Sequence, residues 1–203
     1  MKATKRGKTG YEICILAGGL SERMGRDKSR LRLGGRSMLG QIRTEATRTG
    51  VRVRVIRRDL VPRCGPVGGV YTALKTTQAD AVVFLACDMP FVTAGLIDLF
   101  VTECAKGRSS RRGDRDGVFA LGKGEVGFPF LLQRKALHVV AGQIERGELS
   151  LQALAKALKG KRLRLPARAE PQLRNVNTPR QWEKARKAWA ERRSFLVKWP
   201  QFC

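Results

Sequence analysis

The sequence predicts a single α/β domain, and three stretches carry this prediction. Ile13 to Leu16 is a short apolar run that indicates a buried strand. Val51 to Ile56 alternates aliphatic residues with arginine, which is typical of a strand near the edge of a sheet. Ala81 to Ala86 is apolar at every position, so we expect a central parallel strand that is covered on both faces. The chain of 203 residues is long enough for one domain with its own core.

The remaining elements follow from capping residues, turns and periodicity. In the first half, the predicted helices begin after Ser37 and end at Gly50, run from Val70 to Lys75, and run from Ala94 to Ala105 with Thr93 as the cap. In the second half, the predictions are a hairpin of Val118 to Leu121 with Val126 to Leu132, a helix from Leu151 to Leu158 capped by Ser150, an edge strand from Arg162 to Pro166, and a helix that begins at Thr178 and Pro179 and ends near Arg192. A polar loop is expected from Gly107 to Gly117.

Charge and cysteine usage limit the classes of partner. The formal net charge is +24, which by itself suggests a polyanionic substrate, nucleic acid or an anionic membrane. Arginine is spread along the whole chain with few aromatic residues among it, so nucleic acid is the less favoured partner. No apolar run approaches the length of a membrane span. The five cysteines lack metal or redox spacing, which favours a cytoplasmic location, and the basic arm at 1–10 lacks the apolar core of a secretory signal.

A glycine-rich loop after the first strand is the strongest candidate for a nucleotide site. It covers Leu16 to Lys28 and opens with Leu16, Ala17, Gly18 and Gly19. Gly18 and Gly19 lack a Cβ atom, so the chain can turn sharply and its amides can approach a ligand closely. Arg23 and Lys28 place positive charge at the other end of the loop, which suits a triphosphate. The spacing matches neither a Walker loop nor a Rossmann fingerprint.

Asp88 is the candidate metal ligand. It follows the predicted central strand directly, in the sequence Cys87-Asp88-Met89-Pro90. Ligands of open α/β sheets collect outside the carboxyl ends of the strands. Mg²⁺ is held by one or two carboxylates together with substrate phosphates and water, so a single carboxylate at this position is sufficient.

Two further segments have the composition of a binding site. Gly65 and Pro66 lie in a glycine-rich turn that opens the second predicted helix, where unpaired N–H groups favour an anion or a base carbonyl. Asn175 and Asn177 are two residues apart, so in an extended segment their side chains face the same way. The lone histidine, His138, is expected at the surface and outside the chemistry.

These motifs resemble those of nucleotidyltransferases that join a nucleoside monophosphate to a phosphorylated acceptor, most closely the molybdenum cofactor guanylyltransferase family. The loop pattern Leu-Ala-Gly-Gly-x-Ser-x-Arg-Met-Gly-x-Asp-Lys carries most of the resemblance, and the Gly-Pro turn, Cys-Asp-x-Pro and Asn-x-Asn-Thr-Pro segments are similar to the family's other motifs. The resemblance implies a Rossmann-like three-layer α/β/α sandwich of the nucleotide-diphospho-sugar transferase type. Its sheet would be mostly parallel, with an antiparallel strand from the second half, and the domain would cover 11–193, followed by a tail at 194–203.

The resemblance also implies an activity. A GMP group would pass from GTP to the phosphate of molybdenum-bearing molybdopterin, with Mg²⁺ as the cofactor and pyrophosphate as the leaving group. Lys28, Arg23 and Asp88 would be catalytic, and Asp88 would hold the metal. Asn175 and Asn177 would hold the acceptor. The implied nucleotide-binding residues are Leu16, Ala17, Gly18, Gly19, Lys28, Asp59, Gly65, Pro66 and Asp88.

The chemistry itself is consistent with these residue types. Transfer of a nucleoside monophosphate needs charge neutralisation and alignment for attack at the α-phosphorus. A phosphate monoester acceptor is already ionised near neutral pH, so the absence of a histidine or cysteine constellation is expected. The resemblance further implies a monomer or weak homo-oligomer that hands its product to molybdoenzymes or cofactor chaperones.

Three alternatives stay open at this stage. A cytidylyltransferase acting on the same cofactor is the nearest, and a sugar-phosphate nucleotidyltransferase is the next. A nucleotide-binding or RNA-binding regulator could instead use the fold and the +24 charge without turnover.

Overall fold

A computed structural model describes residues 10–18, 31–108, 116–122 and 124–196. The strands are β1 (Tyr11–Leu16), β2 (Arg32–Leu33), β3 (Arg36–Ser37), β4 (Val53–Ile56), β5 (Ala81–Ala86), β6 (Gly117–Gly122), β7 (Glu125–Gln133) and β8 (Lys161–Arg164). The helices are α1 (Met38–Arg48), α2 (Gly65–Thr76), α3 (Ala94–Arg108), α4 (Leu137–Glu145), α5 (Leu151–Ala157) and α6 (Pro179–Leu196). Short 3₁₀ helices cover Arg134–Ala136 and Ala167–Leu173.

Within the described residues, six strands form one mixed sheet in the order β4-β1-β5-β7-β6-β8. β1 is parallel to β4 and β5, and β8 is parallel to β6. β7 runs antiparallel to both of its neighbours, β5 and β6. The expected mostly parallel sheet with an antiparallel strand from the second half is therefore confirmed. β5 is central and buried as predicted, but it is parallel to β1 alone, because the β6–β7 hairpin inserts β7 on its other side.

Helices cover both faces of the sheet and make three layers. Ile13 and Val83 point to one face, where they pack with Ile42 of α1 and Phe100 of α3. The alternate strand residues point to the other face, where Phe84 packs in a cluster with side chains of α2, α4 and α5. This alternation is the two-residue period of a strand, so each central strand supplies both cores. The predicted α/β/α sandwich is confirmed.

The predicted caps close the helices as expected. Ser37 accepts a hydrogen bond from the N–H of Gly40, and Ser150 accepts one from the N–H of Ala153. Thr178 accepts one from the N–H of Gln181. Each of these bonds satisfies a first-turn N–H group that has no partner within its own helix.

Several boundaries differ from the sequence predictions. α2 begins at Gly65 and not at Val70. Gly68 and Gly69 near its start lie close to Asp59, and this packing holds them in the helix. α3 continues to Arg108, so it takes up the start of the expected loop at Gly107 to Gly117. α6 continues to Leu196, into the segment that was expected to be a tail. β4 begins at Val53, although it lies at a sheet edge as predicted.

A third apolar cluster lies apart from the two faces of the sheet. Its buried members are Leu33, Met38, Phe91, Val176 and Ala185, and Trp182 and Trp189 of α6 pack against it. α6 is therefore held against the β2–β3 hairpin and against the chain that follows β5. Within the described residues, no helix has the length and apolar character needed to span a membrane.

Candidate active site

The carboxyl ends of three adjacent strands are tied together by backbone hydrogen bonds. The N–H of Ala17 donates to the carbonyl of Ile56 over 2.8 Å, and the N–H of Cys87 donates to the carbonyl of Leu16 over 3.1 Å. These bonds extend the β4-β1-β5 pairing beyond the strands themselves. The segments that follow β1, β4 and β5 therefore emerge together at the carboxyl ends of these strands, which we call the carboxyl edge of the sheet. Open α/β sheets bind ligands at this edge.

Asp59 lies in a narrow slot at this edge. A Cβ atom at Gly68 would lie 3.0 Å from Oδ2 of Asp59, and one at Gly69 would lie 3.4 Å from Oδ1. A Cβ atom at Gly18 would lie 3.3 Å from the carbonyl oxygen of Arg57 and 3.7 Å from Oδ1 of Asp59. Gly18, which follows β1, and Gly68 and Gly69 of α2 thus border one carboxyl group. Burial raises the pKa of Asp59 above its ordinary value.

The loop that carries Asp59 is anchored to α2. The N–H of Leu60 donates to Oγ1 of Thr72, and that hydroxyl donates to the carbonyl of Gly68. Gly65 has a φ of +52°, a left-handed conformation that suits glycine, and Pro66 occupies the first turn of α2. Gly65 and Pro66 are therefore at the N-terminus of a helix that faces the same edge as Gly18 and Asp59.

Asp88 lies in the turn after β5, and its Oδ1 atom is buried. The backbone carbonyl of Asp88 accepts a hydrogen bond from the N–H of Val176 over 2.8 Å. Val176 lies between Asn175, which is exposed, and Asn177, which is half-buried. The structure thus brings the Asn175–Asn177 segment beside Asp88, although the two are far apart in sequence.

A capping box holds the Asn175–Asn177 segment in place. The side-chain carbonyl of Gln181 accepts hydrogen bonds from the N–H groups of Asn177 and Thr178, at 2.7 and 3.1 Å. Thr178 caps α6 in return through the N–H of Gln181. The Thr-x-x-Gln spacing is a recognisable signature of this arrangement, so the role of Gln181 could have been found from sequence.

An open cleft of about 780 Å³ has Asn175 in its lining, and Asp59 is not among its lining residues. It lies between the β6–β7 hairpin, the 3₁₀ helix Ala167–Leu173 and α6. Its lining includes Phe91, Phe128, Arg174, Asn175, Gln181 and Lys184. No sequence pattern indicates Phe128 or Lys184, because the cleft is assembled from segments that meet only in the folded chain.

The carboxylate of Asp88 suits a hard divalent cation, such as Mg²⁺, that is bound mainly by the oxygens of the substrate. Within 10–18, 31–108, 116–122 and 124–196, no group of three or more His, Cys, Asp or Glu side chains could hold a metal ion. Mg²⁺ does not need such a cage, because it is usually held by one or two carboxylates with phosphates and water. Asp88 is a carboxylate of this kind.

Some of the predicted residues are not covered by the structure. Gly19, Arg23 and Lys28 lie outside the described residues, as do 109–115 and 197–203. The structure does bring together the described members of the predicted site, namely Leu16, Ala17, Gly18, Asp59, Gly65 and Pro66 with Asp88, Asn175 and Asn177 at the adjoining strand end.

This fold, with a glycine-rich segment after β1 and a carboxylate after β5, is that of a nucleotidyltransferase. The chain belongs to the MobA-like NTP transferase family, whose domain model matches residues 13–163. A relative from Opitutus terrae, described as a probable molybdenum cofactor guanylyltransferase, is 30% identical over 87% of this chain and 95% of its own. The family predicted from the sequence motifs is confirmed.

Solved structures share the fold. The molybdopterin-guanine dinucleotide biosynthesis protein A of Archaeoglobus fulgidus superposes with a TM-score of 0.67, covering 89% of this chain and 99% of its own at 16% identity. A CMP:2-keto-3-deoxy-manno-octonic acid synthetase in complex with CTP gives a TM-score of 0.66, covering 90% of this chain and 99% of its own at 12% identity. Both likenesses establish the fold alone.

Proposed function

We propose that this protein transfers GMP from GTP to the phosphate of molybdenum-bearing molybdopterin, forming the guanine dinucleotide cofactor and releasing pyrophosphate. Family membership and the relative from Opitutus terrae support this proposal. The observation that carries it is the hydrogen bond from Val176 to Asp88, which seats the Asn175–Asn177 segment beside the proposed metal ligand. A nucleotide side and an acceptor side then share one edge of the sheet.

The nucleotide would lie at the ends of β1 and β4. Leu16, Ala17, Gly18 and Gly19 would offer backbone amides, while Asp59 and the Gly65–Pro66 turn would contact the base or ribose. The glycines that border Asp59 support this role, since they leave no side chain between the loop and α2. Lys28 and Arg23 would hold the triphosphate, as their charge and spacing in the loop suggest.

Asp88 would hold Mg²⁺, and the ion, when bound, would neutralise charge on the phosphate oxygens. The backbone of Asp88 in the turn after β5 is tied to Val176, which supports this role by holding the residue at the end of the strand. Lys28 and Arg23 would add further positive charge around the leaving pyrophosphate. No general base is needed, because the attacking phosphate is already ionised.

The acceptor would occupy the cleft beside Asn175. The side-chain amides of Asn175 and Asn177 can donate hydrogen bonds to an anionic acceptor and also accept them from it. Lys184 and Arg174 add positive charge to the lining, and Phe128 adds an aromatic surface. In the reaction, an oxygen of the acceptor phosphate would bond to the α-phosphorus of GTP while the bond to the pyrophosphate oxygen breaks.

The site is built from a single chain, so a monomer or weak homo-oligomer would suffice. The product would pass to a molybdoenzyme or a cofactor chaperone, because this protein would make the cofactor and not use it. Neither proposal depends on the net charge of +24.

The decisive experiment measures pyrophosphate release from GTP and Mg²⁺ with and without molybdenum-bearing molybdopterin. Release that depends on the acceptor would support the proposed transfer. GTP binding without release, together with RNA affinity that falls with salt, would favour a binding protein instead. Thermal-shift measurements with GTP, CTP and ATP in Mg²⁺ would identify the preferred base, and a larger shift with CTP would favour a cytidylyltransferase.

A further inference from the structure

The third apolar cluster forms part of the proposed acceptor cleft. Phe91, Val176 and Ala185 are members of this cluster and also line the cleft. Phe91 lies three residues after Asp88, and Val176 lies between the two asparagines. The same small cluster therefore holds the chain that follows the proposed metal ligand and the segment proposed to hold the acceptor.

Trp189 closes this cluster from α6. Its ring lies 5.7 Å from that of Phe91, centroid to centroid, at an interplanar angle of 45°. This separation is within the range of favourable aromatic pairs. Trp189 is half-buried and is not part of the cleft lining that contains Asn175.

Trp189 also packs closely against a glycine in the turn between β2 and β3. A Cβ atom at Gly34 would lie 2.3 Å from Nε1 of Trp189, far inside contact distance. The indole therefore occupies the space that any other residue at position 34 would need. Leu33, the neighbour of Gly34, is a buried member of the cluster, and Met38 at the start of α1 is another.

We propose that Trp189, seated on Gly34, is a positioning residue that fixes the Asn175–Asn177 segment against Asp88. This inference rests on the proposed function. Trp189 acts through its packing on Phe91 and the third apolar cluster, and the hydrogen bond from Val176 to Asp88 carries the effect to the acceptor segment. Displacing Trp189 would shift the acceptor segment relative to Asp88 while leaving the Gly18 and Asp59 region intact.

The chain offers a matched pair of variants to test this. Gly34 and Gly35 are neighbours with φ values of +56° and +87°, so an alanine at either position has the same kind of backbone strain. A Cβ atom at Gly35 would have nothing within 4 Å, whereas one at Gly34 would strike Trp189. Gly35→Ala therefore reports backbone strain alone, and Gly34→Ala adds displacement of Trp189.

We expect Gly34→Ala to lower kcat by about tenfold to a hundredfold relative to Gly35→Ala, because misplacement of reacting groups is costly. The Kd for GTP with Mg²⁺, measured by calorimetry, should change less than about twofold, since the glycines that border Asp59 have no contact with Trp189. Trp189→Ala should resemble Gly34→Ala, and Trp189→Phe should retain most activity by keeping the aromatic contact. Equal kcat values for the two glycine variants would overturn the inference.

Two controls separate positioning from loss of stability. Leu154→Ala removes a buried side chain from the core between the sheet and α2, α4 and α5, and it should lower the Tm without lowering the kcat of the folded protein. If Gly34→Ala does not fold, the comparison of Trp189→Ala with Trp189→Phe decides: similar kcat values for these two variants would also overturn the inference.

Amide hydrogen exchange tests the same inference without activity. The Val176 N–H should exchange faster in Gly34→Ala than in Gly35→Ala, while the Ala17 N–H, which donates to Ile56, should be unchanged. Unchanged Val176 exchange would refute the positioning role. A wild-type protein that releases no pyrophosphate would instead refute the proposed function, and the exchange measurement would still be informative.

Discussion

The N–H of Val176 donates a hydrogen bond to the carbonyl of Asp88 over 2.8 Å, so two segments 88 residues apart in the chain meet at one edge of the sheet. One segment carries the carboxylate proposed to hold Mg²⁺, and the other carries two asparagines proposed to hold the acceptor. Because the bond is between backbone groups, side-chain variants of Asp88 can be made without removing it.

Asp88→Ala should lower Mg²⁺-dependent turnover at least about a hundredfold, with little change in Tm. A loss of about 3 kcal/mol of transition-state stabilisation lowers kcat about a hundredfold. Steady-state pyrophosphate release and a thermal melt measure the two effects. Asp80→Ala is a matched control, since Asp80 is exposed and precedes the same strand at its opposite end. Full activity of Asp88→Ala would remove the metal assignment.

Gly68→Ala should weaken nucleotide binding. The new Cβ atom would lie 3.0 Å from both Oδ2 of Asp59 and the carbonyl of Val61, so the Asp59 loop must move. We expect the Kd for GTP, measured by calorimetry, to rise about tenfold, which corresponds to about 1.4 kcal/mol.

Gly95→Ala is the control for this variant. Gly95 is also a helical glycine, but a Cβ atom there would have nothing within 4 Å. This change should leave GTP affinity unaltered and raise stability by about 0.5–1 kcal/mol through helix propensity. Equal GTP affinity in the two variants would argue against the slot around Asp59.

Asp59→Asn should change stability in a pH-dependent way. Burial raises the pKa of Asp59 in the folded protein, so the favourable contribution of the neutral carboxyl group is complete below its ordinary value of about 3.9 and is lost as the pH rises through the raised folded value. Asparagine cannot ionise. The Tm of the variant minus that of the wild type should therefore increase from acidic to neutral pH and then level off.

Salt distinguishes the cause of this pKa shift. Because burial is the cause, the trend should persist at about 1 M salt, where charge interactions beyond about 3 Å are screened. A trend that disappears in high salt would point to charge repulsion instead.

Lys28→Ala should weaken GTP binding by about tenfold or more while changing guanosine binding little, since a charge-assisted contact to phosphate is lost. Lys75→Ala, which removes an exposed lysine near the end of α2, provides the control. Calorimetry with GTP and with guanosine measures both affinities. Equal losses for the two ligands would contradict a phosphate role for Lys28.

Much of the fold could be predicted because its signals are local. The apolar run at 81–86 and the caps at Ser37, Ser150 and Thr178 depend on residues close in sequence, and each was correct. The start of α2 was missed because glycine is a poor helix former, and here tertiary packing overrides that propensity.

The site was predictable only in part. Asp88, Asp59 and the two asparagines were predicted as site residues, and the structure brings them to neighbouring strand ends, while their roles stay predictions. The sequence did not indicate the insertion of β7 beside β5, which depends on long-range pairing. The contribution of Phe128 and Lys184 to one cleft likewise depends on contacts between distant parts of the chain.

The two outermost strands of the sheet, β4 and β8, both carry basic residues. Arg52, which directly precedes β4, is exposed at one border, and Arg162 and Arg164 of β8 are exposed at the other. Unpaired strand borders are templates for aggregation, and like charges on approaching copies oppose the addition of another strand. Arginine at both borders therefore protects an otherwise open sheet from growing by self-association in a concentrated solution.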